Sequence, residues 1–276
     1  MKKLGLLLSS AMLVMLTACN SSDPAASSQS KDQAAPATAS AAKLRLGTEG
    51  AYAPFNSIDP NGKPVGFDID IGNALCAAMK VECEWVTSDW DGLIPALDAK
   101  KFDAIIASMS ITDERKAKID FTNKYYATPI KCVRTKGSSV DPSDNAKLKG
   151  KTVGVQGGVV ADNFARNKFK DIAEVTPYKT QDEANMDLLS GRVDLVCADS
   201  VVLAPFVKDP ANAAKVEFVG GDFKDKAYIG EGIGIGVRKG DKELAEKFNK
   251  AIEQIRADGT YAKINQKYFD FDLYGD

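Results

Sequence analysis

The 276-residue sequence contains no histidine. That removes Ser-His-Asp and Cys-His catalysis and every metal site built on imidazole. Acid–base chemistry by carboxylates, lysine, tyrosine or a lone cysteine stays open. No Cys-x-x-Cys pair occurs, so neither a metal–thiolate centre nor a redox dithiol is supported, and no cofactor or metal is expected. Asp199 follows an apolar run and precedes a helical one, the strand exit where open α/β sheets gather ligands. The same position suits a helix-capping aspartate, and the two roles can coexist. Arg115 lies in the charged stretch Thr-Asp-Glu-Arg-Lys-Ala-Lys (112–118), where an arginine is by default a surface residue. Tyr52 and Trp90 are aromatics of the kind that either pack in a core or offer a face to a cation.

Elements able to position these residues follow from hydrophobic periodicity. Lys43–Thr48 alternates as a strand, and Asn61-Gly62 between Pro60 and Pro64 reads as a hairpin turn leading into 65–67. Residues 68–80 carry helical apolar spacing at Ile71, Ala74, Leu75, Ala78 and Met79, with Asp68 placed to cap. Strand 81–87, helix 91–99, strand 102–107, a short charged helix 112–118 and strand 128–135 follow. The pattern then restarts with strand 151–155, a Gly157-Gly158 turn, helix 159–169, strand 174–178, helix 181–190, strand 193–198 and helix 199–208. Strands 215–219 and 232–238 and helices 241–257 and 260–268 close the chain. This alternation argues an α/β architecture with parallel sheets. The segments 97–110 and 188–200 echo each other faintly, as two similar lobes would. The charge balance, 36 basic against 38 acidic residues, excludes a nucleic-acid footprint.

The N-terminus reads as a targeting segment. Lys2 and Lys3 precede the apolar run Leu4–Leu16, too short to span a bilayer but suited to a signal-peptide core. The run ends Leu-Thr-Ala-Cys (16–19), which resembles a bacterial lipobox and implies a signal peptide of 1–18 with lipid attached at Cys19. The alternative is an ordinary secretory signal with an incidental Cys19. Asn20 in place of Asp is compatible with outer-membrane sorting. Residues 19–42, rich in Ser, Ala, Gln and Pro, read as a flexible lipidated tether. The protein is thus expected in the periplasm or cell envelope, touching membrane through its lipid alone. Four cysteines remain for an oxidising compartment. Cys76 and Cys83 are expected to pair across a short loop; Cys132 and Cys197, both in β-like runs, either bridge adjacent strands or stay as buried thiols.

The segments LGTEGAYAPFN (46–56), VGFDIDIGNALC (65–76), DWDGLIPAL (89–97), ASMSITDERKAKIDFTNKYY (107–126) and KYFDFDLYGD (267–276) together resemble solute-binding proteins of polar amino-acid ABC importers, in particular the lysine/arginine/ornithine and histidine group. The resemblance runs from about Lys43 to Asp276 and is weaker over 140–230. It implies a two-lobed α/β fold of the type II periplasmic binding proteins, with two parallel or mixed sheets joined by two crossover strands. Lobe 1 would comprise 43–127 plus 231–276 and lobe 2 residues 128–230, with crossovers near 128–130 and 226–230. It also implies a monomer that closes on an amino acid and hands it to an ABC permease with its ATPase.

By the same resemblance Arg115 meets the ligand carboxylate, with a fork that lysine cannot supply. Asp199 accepts from the α-ammonium. Ser108 and Ser110, ending the 102–107 strand, donate to the carboxylate or accept from the ammonium, while Ala107 stands where relatives often carry Ser. Tyr52 and Trp90 match the aromatics that sandwich the side chain, and Glu49 matches an acid that meets the distal cation of arginine, lysine or ornithine. Asp68 and Asp70 read instead as solvated helix-start carboxylates. The turn Gly157-Gly158-Val159-Val160-Ala161 lacks the hydroxyl usual there, leaving backbone N–H groups around Val160 for the carboxylate. That departure keeps another polar amino acid or an opine open as ligand. A dehydratase-like enzyme on the same fold, with Glu49 as acid or base, is the alternative to a non-enzymatic binder.

Overall fold

A computed structural model describes residues 43–275. The expected leader (1–18), the lipidation site Cys19 and the tether up to residue 42 lie outside the described residues. In chain order the strands are β1 (Lys43–Thr48), β2 (Ala51–Tyr52), β3 (Asn56–Ile58), β4 (Pro64–Val65), β5 (Glu82–Thr87), β6 (Ala104–Ile105), β7 (Asp120–Tyr126), β8 (Ile130–Thr135), β9 (Thr152–Gln156), β10 (Glu174–Tyr178), β11 (Leu195–Asp199), β12 (Val216–Phe223) and β13 (Ile233–Val237). Between them run α1 (Phe67–Met79), α2 (Leu93–Asp98), α3 (Asp113–Lys116), α4 (Asn145–Leu148), α5 (Val160–Lys168), α6 (Gln181–Leu189), α7 (Ser200–Lys208), α8 (Lys226–Ile229), α9 (Lys242–Ala257) and α10 (Thr260–Tyr268).

Two five-stranded sheets organise these elements, in the orders β5-β1-β6-β13-β7 and β10-β9-β11-β8-β12. In each, the fourth strand (β13 or β8) runs antiparallel to both of its neighbours while the first three are parallel, so both sheets are mixed rather than purely parallel. β6 and β11 hold the same third place in the two sheets, and they carry the two echoing sequence segments. The chain leaves the first sheet after Tyr126 and enters the second at Ile130. It returns between Phe223 and Ile233 through the one-turn helix α8, not the strand expected there.

Each sheet buries its own apolar core. Phe55, Phe67 and Tyr126 pack under the first, with Phe55 stacked on Tyr126 at 4.7 Å between centroids. Helix α9 lays Ala245, Phe248, Ala251, Ile252 and Ile255 on that core at helical spacing and is capped by Asp241, which accepts from the Leu244 N–H. The second sheet packs Val153, Val155 and Leu195 against Phe164 and Phe169. Among the described residues no helix is long and apolar enough to cross a membrane.

Both cysteine pairs are bridged. Cys76 lies in the last turn of α1 and Cys83 in β5, with Cα atoms 6.0 Å apart. Cys132 and Cys197 face each other directly across β8 and β11, 4.1 Å apart at Cα, and both are fully buried. In the loop-entropy account a crosslink stabilises in proportion to the logarithm of the loop it closes, which gives about 2–3 kcal/mol for the seven-residue separation and about 4 kcal/mol for the 65-residue one. Urea unfolding of the Cys132→Ser/Cys197→Ser and Cys76→Ser/Cys83→Ser variants is therefore expected to show the larger loss for the 132–197 pair.

Candidate functional site

The C-terminal ends of the parallel strands in both sheets converge on one cavity. Glu49 follows β1, Ser108 follows β6, Gln156 ends β9 and Asp199 ends β11. All eight residues expected from the sequence line this cavity: Glu49, Tyr52, Trp90, Ser108, Ser110, Arg115, Val160 and Asp199. Ala107, Gln156 and Val159 complete the wall.

Arg115 is buried at 8% exposure, on the one-turn helix α3 that Thr112 caps through its hydroxyl. Its Nη1 donates to the Ser110 carbonyl at 3.0 Å and its Nη2 to the Gly158 carbonyl at 3.1 Å, so three of its five N–H groups remain available. The guanidinium carbon lies 5.1 Å from the Trp90 ring centroid. Trp90 thus faces a cation of the protein itself, an arrangement the sequence did not suggest. Burial lowers the Arg115 pKa to about 10, which leaves it charged at neutral pH.

Asp199 occupies the N-cap position of α7, yet its side chain makes no capping bond. Its Oδ2 accepts from the Tyr52 hydroxyl at 2.6 Å, and its Oδ1 accepts from the hydroxyl of Thr128. The capping role open to Asp199 in the sequence is therefore not used. Burial pushes its carboxyl upward, opposed by the bonds from Thr128 and Tyr52 and by the charge of Arg115. Tyr52 joins Asp199 through its hydroxyl while its ring lies near-parallel to Phe55.

Across the cavity Glu49 Oε1 accepts from Gln156 Nε2 at 2.5 Å. The Gln156 Oε1 is buried and has no partner among the described residues. Desolvation raises the Glu49 pKa to about 7, with the Gln156 bond opposing and Asp89 and Asp91 adding to the rise. Neither Gln156 nor Thr128 was singled out from the sequence. A glutamine ending a strand and a threonine between strands carry no spacing signature.

Three expectations are corrected. Asp68 neither caps α1 nor faces water. Gly66 holds the N-cap position, and the Asp68 side chain is fully buried with hydrogen bonds from Asn56, Ser108 and Tyr125. Asp70 is half-buried and paired with Lys267 and Tyr268 on the outside of the fold. The strand expected over 102–107 shortens to Ala104–Ile105, because the chain turns at Ser108, whose φ is +52°. At the start of α5, Val159 makes no side-chain cap, and Asp162 Oδ2 accepts from the Gly158 N–H at 3.0 Å.

Tyr52–Asp199, Glu49–Gln156 and Arg115–Gly158 each tie residues that flank the first sheet to residues of the second. The exposed pair Lys179–Asp89, at 3.0 Å, does the same at the rim. The cavity is thus closed over, with one buried cation and two buried or half-buried acids around its wall. Such a set complements a zwitterion that carries a further positive charge.

The sequence model of the family described as bacterial extracellular solute-binding proteins, family 3, matches residues 44–271. The chain is 54% identical to the L-arginine-binding protein of Pseudomonas aeruginosa, over 84% of this chain and 90% of that one. It is 47% identical to the lysine/arginine/ornithine-binding periplasmic protein of Escherichia coli, with the same coverage of 84% and 90%. Among solved structures, an ancestral arginine-binding protein bound to arginine superposes with a TM-score of 0.75 at 42% identity, covering 83% of this chain and 99% of the other. The architecture is that of the two-lobed periplasmic amino-acid-binding proteins.

The raised pKa of Glu49 has a consequence for stability. A carboxyl at about 7 in the fold, against 4.5 when free, binds its proton more tightly in the native state. Its contribution is favourable at low pH and declines as pH rises from about 4.5 to 7. Glu49→Gln removes that decline and keeps the acceptor for Gln156. The ligand-free variant is expected to gain on the order of 2 kcal/mol over wild type at pH 8 and little at pH 4.5, read by urea unfolding at both pH values.

Proposed function

This chain belongs to the bacterial extracellular solute-binding proteins, family 3, and we propose that within this family it captures a cationic amino acid, arginine foremost, for an ABC importer. The single observation that carries the ligand class is Glu49, a half-buried acid with the Gln156 amide as its one hydrogen-bond donor among the described residues, in the same cavity as Arg115 and Asp199. In this reading Arg115 holds the α-carboxylate with the N–H groups left over from Ser110 and Gly158, helped by backbone N–H groups around Val160 at the start of α5. Asp199 takes the α-ammonium, with Ser108 and Ser110 beside it. Glu49 takes the distal cation, and Tyr52 and Trp90 flank the aliphatic stem. Burial of each charge is then matched by an opposite charge or a hydrogen bond.

The closing motion is carried by two lobes, 43–127 plus 231–276 and 128–230, hinged at the two crossings. Ligand shifts the population toward the closed form by adding contacts that only that form can make. The protein binds and releases its ligand unchanged, acts as a monomer, and delivers the ligand to a membrane permease and its ATPase. Lipid at Cys19 anchors it in the periplasm or cell envelope, and the 20–42 tether gives it reach.

Isothermal titration of the purified chain, unfolded and refolded to strip ligand, tests this reading against arginine, lysine, ornithine, histidine, glutamine and octopine. Arginine, lysine or ornithine is expected to bind at micromolar Kd or better, about −8 kcal/mol. Absence of binding to all three would sink the proposal. Conversion of any ligand during the titration would favour the enzyme instead. In the same assay Arg115→Lys is expected to lose at least about tenfold in affinity, because a point charge cannot replace the fork. Wild-type affinity in that variant would remove Arg115 from the carboxylate site.

A further inference from the structure

We propose that Asp68, which does not line the cavity, is a positioning residue for ligand capture, its carboxylate holding two loops of the cavity wall in their binding conformation. One loop contains Ser108. It is a non-glycine residue at φ +52°, in the left-handed region that L side chains rarely adopt, and it lies at 7% exposure in the cavity wall. Such a conformation persists only where the surroundings over-determine it. Asp68 supplies that determination. Its Oδ2 accepts from the Ser108 backbone N–H at 2.8 Å and from the Ser108 hydroxyl at 3.3 Å.

The second loop begins at Glu49. Asn56 Nδ2 donates to Asp68 Oδ2 at 3.1 Å, while Asn56 Oδ1 accepts from the Gly50 N–H at 2.8 Å. Asn56 therefore couples the carboxylate to the residue next to Glu49. Asp68 Oδ1 accepts from the Tyr125 hydroxyl at 2.8 Å, and Tyr126 bonds the Ser108 hydroxyl. Asp68, Asn56, Tyr125 and Tyr126 are all fully buried. Every contact to the carboxylate comes from a donor, so a side chain without oxygens would leave the Ser108 N–H, the Asn56 amide and the Tyr125 hydroxyl without their acceptor.

The backbone explains why this side chain arrives there. Gly66, at φ +130°, precedes α1, and a Cβ at that position would lie 2.3 Å from the Phe55 carbonyl. The helix start is thereby packed directly against the 52–56 turn, and the Asp68 N–H donates to the Phe55 carbonyl at 2.8 Å. The second residue of α1 is thus delivered beneath both loops.

The affinity readout of this proposal rests on the capture function proposed above; its structural readout does not. The experiment is a double-mutant cycle with Asp68→Ala, Ser108→Gly and both together, titrated with arginine, alongside a ligand-free crystal structure of Asp68→Ala. Asp68→Ala, which removes the acceptor altogether, is expected to weaken binding by about tenfold or more while unfolding stays a single cooperative transition. In the Ser108→Gly background the loss should shrink by at least about threefold, since glycine takes positive φ unaided. Equal losses in both backgrounds, or none in either, overturn the proposal. The crystal structure should show residue 108 at negative φ and the Asn56–Gly50 bond broken; an unchanged loop overturns it as well. If Asp68→Ala does not fold, Asp68→Glu keeps the charge and displaces the oxygens by one methylene, and wild-type affinity there also overturns it. Should wild type bind no cationic amino acid, the functional reading falls and the crystal structure alone decides the role of Asp68.

Discussion

Charge removed from water must be met by other charge or by hydrogen bonds, and the cavity is organised by that demand. Arg115, Asp199 and Glu49 all titrate away from their ordinary values for one dominant reason, burial. None is left bare. Arg115 gives two of its N–H groups to carbonyls, Asp199 takes two hydroxyls, and Glu49 takes one amide. Each is nonetheless only partly satisfied. That intermediate state suits a site that must be stable without ligand and better with it.

Sheet architecture makes this possible. Two sheets of like strand order turn the C-terminal ends of their parallel strands toward a common space, so each loop leaving a strand can carry one polar side chain inward. The first crossing from one sheet to the other adds to this. Within four residues Tyr125 reaches Asp68, Tyr126 reaches Ser108 and Thr128 reaches Asp199. The chain segment that joins the sheets thus touches polar groups belonging to both walls of the cavity.

Much of this was legible in advance, for identifiable reasons. β1, β10 and α10 match their expected bounds, because alternation and helical spacing are local and each segment is flanked by turn residues. β7 was not foreseen. Its sequence Asp-Phe-Thr-Asn-Lys-Tyr-Tyr mixes polar and aromatic residues, and it forms a strand because β13 pairs with it from more than a hundred residues away. The cavity residues were found through motif context, and periodicity could not have found them. Asp68 shows the limit most clearly. An acid near a helix start reads as a cap, and only the fold reveals the aromatic and amide donors, up to 57 residues away, that surround it.

The contacts that cross the cavity set a condition on any ligand. Arg115 donates to the Gly158 carbonyl and Tyr52 to Asp199, so groups on the two walls bond each other directly. A ligand moves the balance between open and closed forms only by what it gains in one form over the other. Contacts made equally in both forms contribute nothing to that difference. Under the proposed function, discrimination falls on wall groups with bonding capacity left over: the remaining donors of Arg115 and the acid of Glu49. The turn at Gly157–Ala161 fits the same logic. It has no hydroxyl to offer, and its geometry is held by Asp162 on the Gly158 N–H. With that wall fixed by the protein, the proposed selectivity rests on the other end of the cavity, where the Glu49 carboxylate accepts from the Gln156 amide.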